Sequence, residues 1–332
     1  MSGQDVVRAG VIGVGIMGER HARLYSQLPS AQLVGVYDPD LTRALAVAAR
    51  WDTRAFTSVE RLLREVDAVS IASSTPTHAS LASAALDRGV HLLVEKPLAD
   101  NLDDARLLAA RAARRPALRV QVGHIERFNP VVRELQRLLR GEHLQAVTMQ
   151  RLSPFDGRCL DSDIVHDLMI HDLDLARAFC GDGLELIAAS GGRVYSPSTD
   201  QAMAQLRSPQ GTRLTLHASR VASRKVRAIT VLTERSAIEA DLLGKTISIT
   251  PRIDSGQAGE IEAVAVPSDE PLRLELQSFL ETILWRGRPV VGIEDGLQAL
   301  CYADAIGEMI GCPVLPQPTE MVTAGSLLAA GD

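Results

Sequence analysis

Aromatic side chains are scarce in this chain: its 332 residues hold five Phe, four Tyr and two Trp. The core must therefore be built from Ala, Leu, Val and Ile, and stacking platforms for single-stranded nucleic acid are not expected. Basic runs are missing too. Lys and Arg number 35 against 41 Asp and Glu, a net charge of −6, which argues against a protein that grips a phosphate backbone. Cysteine is thin: Cys159, Cys180, Cys301 and Cys312 show neither a CxxC nor a finger-like spacing. That excludes a disulfide framework and predicts reduced thiols. No apolar run approaches the length of a membrane span, and MSGQDVVRAGVIG has no basic, cleavable leader character. The expectation is a cytoplasmic protein with no nucleic-acid or membrane partner.

The rest is ordinary globular composition, 46% hydrophobic and 23% charged, at a length that suggests two domains. The first third alternates apolar β-type runs (Val6–Ile12, Leu33–Tyr37, Ala68–Ala72, His91–Val94, Leu118–Val122) with helical segments near 16–28, 40–50, 77–89 and 101–114. This rhythm predicts βαβ units and a doubly wound parallel sheet, an α/β fold. After Val122 it changes. Helices are expected at Val131–Arg140 and Ile164–Phe179, then a strand-rich stretch from about 184 to 265 that reads as an antiparallel sheet. Two helices, Pro271–Trp285 and Ile293–Ile310, precede a Pro/Gly/Ala-rich tail beyond Pro316. The division expected is a cofactor domain over 1–124 and an α+β domain over 125–332, its last helices free to pack back on the first.

The run AGVIGVGIMG places Gly13, Gly15 and Gly18 as G-x-G-x-x-G between a strand and a helix. These positions suit a tight turn, close approach of a pyrophosphate and close helix–strand packing, with Ile16 and Met17 opening the helix beside the ligand. Asp38 ends the second strand, 20 residues after Gly18. An acid there accepts from ribose hydroxyls and repels a 2′-phosphate, so the cofactor expected is NAD. Arg43 nearby reads as a solvated helix position. Glu95-Lys96-Pro97 closes the fifth strand. Ligands bind beyond the carboxyl ends of parallel strands, which puts Lys96 at the nicotinamide end of the crevice. Ser74-Thr75-Pro76-Thr77-His78 offers Thr75 and His78 as cofactor contacts, or a plain cap at Thr77.

In DSDIVHDLMIHDLDLARAF, helical spacing puts Asp163, Asp167, His171 and Asp174 on one face of an otherwise apolar helix. A buried ionisable stripe costs several kcal/mol unless it is paired or works in a cleft, so it marks a site. His166, Asp167 and His171 could hold a metal, but acid–base work explains them better and no metal is expected.

With these residues in hand, the chain resembles the Gfo/Idh/MocA oxidoreductases. The likeness rests on the glycine fingerprint, on Glu95-Lys96-Pro97, on Asp167-x-x-x-His171, and on a closing pattern at Glu275, Phe279, Gly287, Pro289 and Glu294–Gly296. It implies a Rossmann domain followed by a large, mainly antiparallel open sheet that makes oligomer contacts, a homodimer or homotetramer. It also implies sugar-like substrates and a catalytic set of Lys96, Asp167 and His171. A narrower stretch, Gly123-His124-Ile125-Glu126-Arg127-Phe128-Asn129-Pro130 with Arg151 and the Asp167–His171 region, resembles the branch that oxidises UDP-N-acetylglucosamine at its 3-hydroxyl, in the making of lipid A amino sugars. It offers His124, Arg127, Asn129, Arg151 and Arg158 as substrate contacts. The arginines would meet a pyrophosphate, or alternatively form surface or interdomain ion pairs.

The chemistry this implies is oxidation of a secondary alcohol. His171, neutral and oriented by Asp167, takes the hydroxyl proton, and Lys96 stabilises the developing alkoxide. Lys96 as the base is the alternative. Other readings are an inositol or free-sugar dehydrogenase, an NAD-retaining glycosidase and a non-catalytic NAD-binding regulator.

Overall fold

The computed structural model describes residues 6–157, 163–252 and 259–311. Six parallel strands form the first sheet: β1 (Val7–Ile12), β2 (Ala31–Tyr37), β3 (Arg54–Ala55), β4 (Ala68–Ile71), β5 (His91–Glu95) and β6 (Val120–Gly123). Between them run α1 (Ile16–Tyr25), α2 (Leu41–Arg50), α3 (Val59–Leu63), α4 (His78–Asp87) and α5 (Leu102–Ala113). The strand order is β3-β2-β1-β4-β5-β6, so the chain reverses direction across the sheet beside β1. That switch point opens a crevice at the carboxyl ends of the strands. Local chemistry starts the helices where they start. The Asp40 carboxylate accepts from the Thr42 and Arg43 amides to cap α2, and Asn101 caps α5 through the Asp104 amide.

The second unit carries α6 (Pro130–Leu138), β7 (Leu144–Leu152), α7 (Ile170–Cys180) and then β8 (Glu185–Gly192), β9 (Gln201–Arg207) and β10 (Arg213–Ser219). It continues through β11 (Val226–Thr233), β12 (Ser236–Asp241), β13 (Thr246–Pro251) and β14 (Glu262–Val264). The order of this eight-stranded sheet is β14-β13-β12-β11-β7-β10-β9-β8, antiparallel except where β10 pairs with β7. Along β9, Ala202, Ala204 and Leu206 are buried while Gln201, Met203 and Gln205 are exposed. The buried face packs with α6 and α7 into one aliphatic core; the β9 side chains on the other face are open.

The chain closes with α8 (Pro271–Leu284) and α9 (Ile293–Gly311). Leu272, Leu276, Phe279 and Leu280 of α8 join the core around β1 and α1, so this helix returns to the first sheet. On α9, Leu300 packs into the first unit, while Ala299, Ala303 and Ile306 pack into the second. A Cβ on Gly296 would lie 2.8 Å from the Val122 side chain, which shows how closely α9 approaches β6. The two units therefore share one long helix, which holds both sheets to a common frame.

Three elements escape the sequence reading. β3 and α3 are too short to show periodicity. β7 is central to the second sheet, yet its outward Gln145, Thr148 and Gln150 and inward Arg151 disguise it as loop. The tail beyond Pro316 lies outside the described residues.

Candidate active site

The glycine turn has the geometry its spacing implies. Gly13 sits at φ +81°, and a Cβ there would come within 2.6 Å of the Ser73 backbone. A Cβ on Gly18 would lie 1.8 Å from the Gly13 carbonyl oxygen, while open space surrounds Gly15. Gly15 precedes α1 without a side-chain cap, so the first helical amides face that space unmatched. A cavity of about 430 Å³ follows, bounded by Gly13, Gly15, Asp38, Arg43, Ser74 and Thr77. The buried Asp38 carboxylate accepts from the Val14 and Asp40 amides, both at 2.9 Å, and so faces the cavity in a fixed pose. Arg43 is not simply solvated: its guanidinium reaches Asp38 at 3.3 Å. Uncrowded amides at a helix start and a pinned acid beside them fit a dinucleotide.

Two expected cofactor contacts do other work. The His78 ring is buried, with its nitrogens 2.9 Å from the Pro97 carbonyl and 3.1 Å from that of Ser73, so it ties together the loops after β4 and β5. Glu95 turns inward, 3.1 Å from His21 Nε2 of α1. Burial pushes the Glu95 carboxyl up, but the His21 hydrogen bond and the nearby charges outweigh it and hold it below its usual value. Thr75 opens a short 3₁₀ turn beside the cavity; Thr77 does not cap α4. Met17 is half-buried on α1, and Ile16 is 68% exposed. A hollow of about 280 Å³ carries both Ile16 and Asp167 in its lining.

Lys96 reaches across from the first sheet into the second unit. Its Nζ donates to the Asp167 carbonyl at 2.6 Å and to the carboxylate at 3.0 Å. Asp167 lies in a π-helical turn, Val165–Met169, where a regular α-helix was expected. Wide turns of this kind concentrate at functional sites. The expected stripe is consequently divided among partners: Asp163 bonds His166, Asp167 bonds Lys96, and Asp174 bonds Arg127. Asp167 therefore orients Lys96 rather than His171. His171 is buried, with Nδ1 unpartnered, and stands edge-on to His124 at 6.1 Å between ring centroids. Burial, reinforced by the charges of Lys96 and Arg151, keeps His171 well below the usual histidine value. Burial also lowers His124. Both rings are neutral at pH 7.

The other expected substrate contacts are largely structural. Arg127 grips Asp174 through two bonds of 2.6 and 2.8 Å. Arg151, fully buried, bridges Glu126 and Asp172, each at 2.8 Å. The two carboxylates outweigh burial and raise its guanidinium further. For Arg151 the ion-pair reading is the one realised, but the pair is buried and lies within the second unit, since Glu126 and Asp172 both follow residue 124. Asn129 caps α6 through the Val131 amide and donates to Glu126. Arg158 lies outside the described residues, as do Cys159 and Cys312; Cys180 and Cys301 are free thiols. The residues weighed as metal ligands and set aside are also parted, because His166 is taken by Asp163 and Asp304. Among the described residues no group of three His, Cys, Asp or Glu is placed to hold a metal ion, and no helix is long and apolar enough to cross a membrane.

Known proteins share both halves of this arrangement. Residues 7–124 match the oxidoreductase family with an NAD-binding Rossmann fold, and residues 138–239 match the GFO/IDH/MocA C-terminal domain. The UDP-N-acetylglucosamine 3-dehydrogenase of Acidithiobacillus ferrooxidans is 38% identical over 284 residues, 83% of this chain and 88% of that protein. The chain belongs to the Gfo/Idh/MocA oxidoreductase family. A solved structure of the Acidithiobacillus enzyme superposes with a TM-score of 0.85 at 35% identity, covering 92% of this chain and 98% of that one. The inositol 2-dehydrogenase of Rubrobacter xylanophilus is 29% identical over 90% of this chain and 89% of its own length. An Agrobacterium radiobacter oxidoreductase solved with NAD+, L-tartaric acid and magnesium shares the fold, with a TM-score of 0.81 at 18% identity over 92% of this chain and 96% of that one. This protein is an NAD-binding oxidoreductase.

Proposed function

We propose that the chain oxidises the 3-hydroxyl of UDP-N-acetylglucosamine to the 3-keto sugar, with NAD as acceptor. The observation that carries the substrate is the 38% identity to a 3-dehydrogenase of that nucleotide-sugar over most of both chains. The geometry supports the chemistry. Lys96, positioned by Asp167, presents its ammonium to the reacting oxygen and stabilises the developing negative charge. The neutral His171 imidazole takes the hydroxyl proton, and its lowered basicity keeps it in that form well into acid. Bound NAD supplies the hydride acceptor. A homodimer or homotetramer built on the open face of the second sheet is part of the same reading. An inositol dehydrogenase is the second reading, favoured by the relative from Rubrobacter.

Purified enzyme is incubated with NAD and either UDP-N-acetylglucosamine or myo-inositol, and NADH is followed by absorbance. The nucleotide-sugar is expected to give the signal. Lys96→Met and His171→Ala should each lower kcat by at least about tenfold without loss of NAD affinity. Turnover unchanged in both variants overturns the site, and NADH from myo-inositol alone overturns the substrate.

A further inference from the structure

Arg127 and Arg151 are engaged by carboxylates, as is Arg220 by Asp200, and beyond these Arg227 and Lys225 stand in the groove beside Asp167. Arg227 on β11 and Lys225 just before it line the hollow that contains Ile16 and Asp167. The acidic neighbour of Arg227, Glu126, is 3.4 Å away and is held more closely by Arg151 at 2.8 Å. Burial and the like charge of Arg151 pull the Arg227 guanidinium below its ordinary value, against the attraction of Glu126, Asp172 and Asp167. Lys225 is exposed and has no carboxylate partner among the described residues.

The groove does not end there. A second hollow of about 540 Å³ adjoins it along the chain: Phe155 and Val221–Ser223 line the second, while their neighbours Pro154, Asp156, Arg220 and Lys225 line the first. It holds Phe155 and Tyr195, with ring centroids 5.0 Å apart. Tyr195 is 67% exposed, a conspicuous position in a chain with so few aromatic rings. Its backbone is fixed, because the amides of Val194, Tyr195 and Ser196 all donate to one oxygen of Asp200 at 2.7, 2.7 and 2.9 Å. A ring on a pinned loop is ordered before a ligand arrives, which lowers the entropic cost of stacking on it.

We propose that these neighbouring hollows together form the nucleotide subsite of the substrate: Arg227 and Lys225 receive the diphosphate, and Tyr195 with Phe155 stacks on the base. Asp167, which holds Lys96, lines the first hollow with Arg227 and Lys225, and the rings of Phe155 and Tyr195 line the second, so the sugar end falls at Asp167. A guanidinium and an ammonium suit adjacent phosphoryl groups, and a base offers a face to an aromatic ring. The inference rests on the nucleotide-sugar reading above and names the residues that would discriminate such a substrate from a free sugar.

Titration calorimetry with uridine diphosphate, and initial rates with UDP-N-acetylglucosamine and NAD, test it on wild type, Lys225→Ala, Arg227→Gln, Tyr195→Ala and Tyr195→Phe. Lys225→Ala, Arg227→Gln and Tyr195→Ala are each expected to weaken uridine diphosphate binding about tenfold. KM should rise by a similar factor, with kcat within about twofold of wild type. Tyr195→Phe should bind like wild type, and unchanged NAD affinity in every variant shows that the fold is intact. Failure of wild type to bind uridine diphosphate, or affinity unchanged in the three variants, overturns the subsite. If NADH still forms from UDP-N-acetylglucosamine with KM insensitive to all three, the dehydrogenase reading survives and the subsite falls. If wild type binds uridine diphosphate through these residues but makes no NADH from the nucleotide-sugar, the subsite stands and the 3-dehydrogenase reading falls.

Discussion

Glu275 on α8 is fully buried, and neither oxygen of its carboxyl has a hydrogen-bond partner among the described residues. Burial, with the charge of nearby Glu95, raises it well above the usual carboxylate value, so it folds in protonated. A carboxyl raised on folding binds its proton more tightly in the native state, and stability falls as pH climbs from the unfolded value of about 4.3 toward the folded one. Glu275→Gln removes that dependence while keeping the shape. Its Tm should exceed that of wild type by a margin that widens from pH 5 to pH 9; a gap constant with pH would contradict the assignment. At this scale the sequence was legible where the chemistry is contiguous. Gly13, Gly15 and Gly18, and Lys96 within Glu95-Lys96-Pro97, could be placed because their neighbours define them. The partners of Arg151 were not, since Glu126 and Asp172 lie 25 and 21 residues away and only folding brings them to it.

Among elements, the π-helical turn at Val165–Met169 is the one the site depends on, and it is tethered at His166. That ring bonds Asp163 at 2.7 Å and Asp304 of α9 at 2.6 Å. Burial opposes its charge, but the two carboxylates prevail and raise it to about 8. A histidine raised on folding stabilises fully below its unfolded value of about 6.5, and that contribution is lost as pH rises through the folded value. Asp304→Asn should therefore cost stability at pH 6, on the order of 1 kcal/mol, and much less at pH 9. Chemical denaturation at the two values checks it, and equal losses would remove His166 as the cause. The helix itself was legible from its apolar residues. Its wide turn was not, because a four-residue spacing is the same string whether the backbone closes on the fourth or the fifth amide.

For the whole molecule, the decisive feature is that α8 and α9 fold back to join the two sheets. Phe279 completes the core of the first unit, and α9 packs into both. The other large-scale feature is the outer face of the second sheet, where Met203 is 45% exposed between exposed Gln201 and Gln205. The proposed homo-oligomer would cover such a face. Analytical ultracentrifugation should find a dimer or tetramer for wild type and a shift toward monomer for Met203→Arg; a monomeric wild type would remove this part of the reading.

The sequence alone determined most of the strand and helix order and the cofactor turn, because these are written in local periodicity or adjacent residues, and its likeness to a known family singled out Lys96, Asp167 and His171. Only the tertiary structure decided which charge faces which. It gave Asp167 to Lys96, Glu95 to His21 and Arg151 to Glu126 and Asp172, leaving Arg227 and Lys225 in the groove. Charge pairing depends on distances between elements far apart in the chain, and those distances exist only once the two sheets are held against α9.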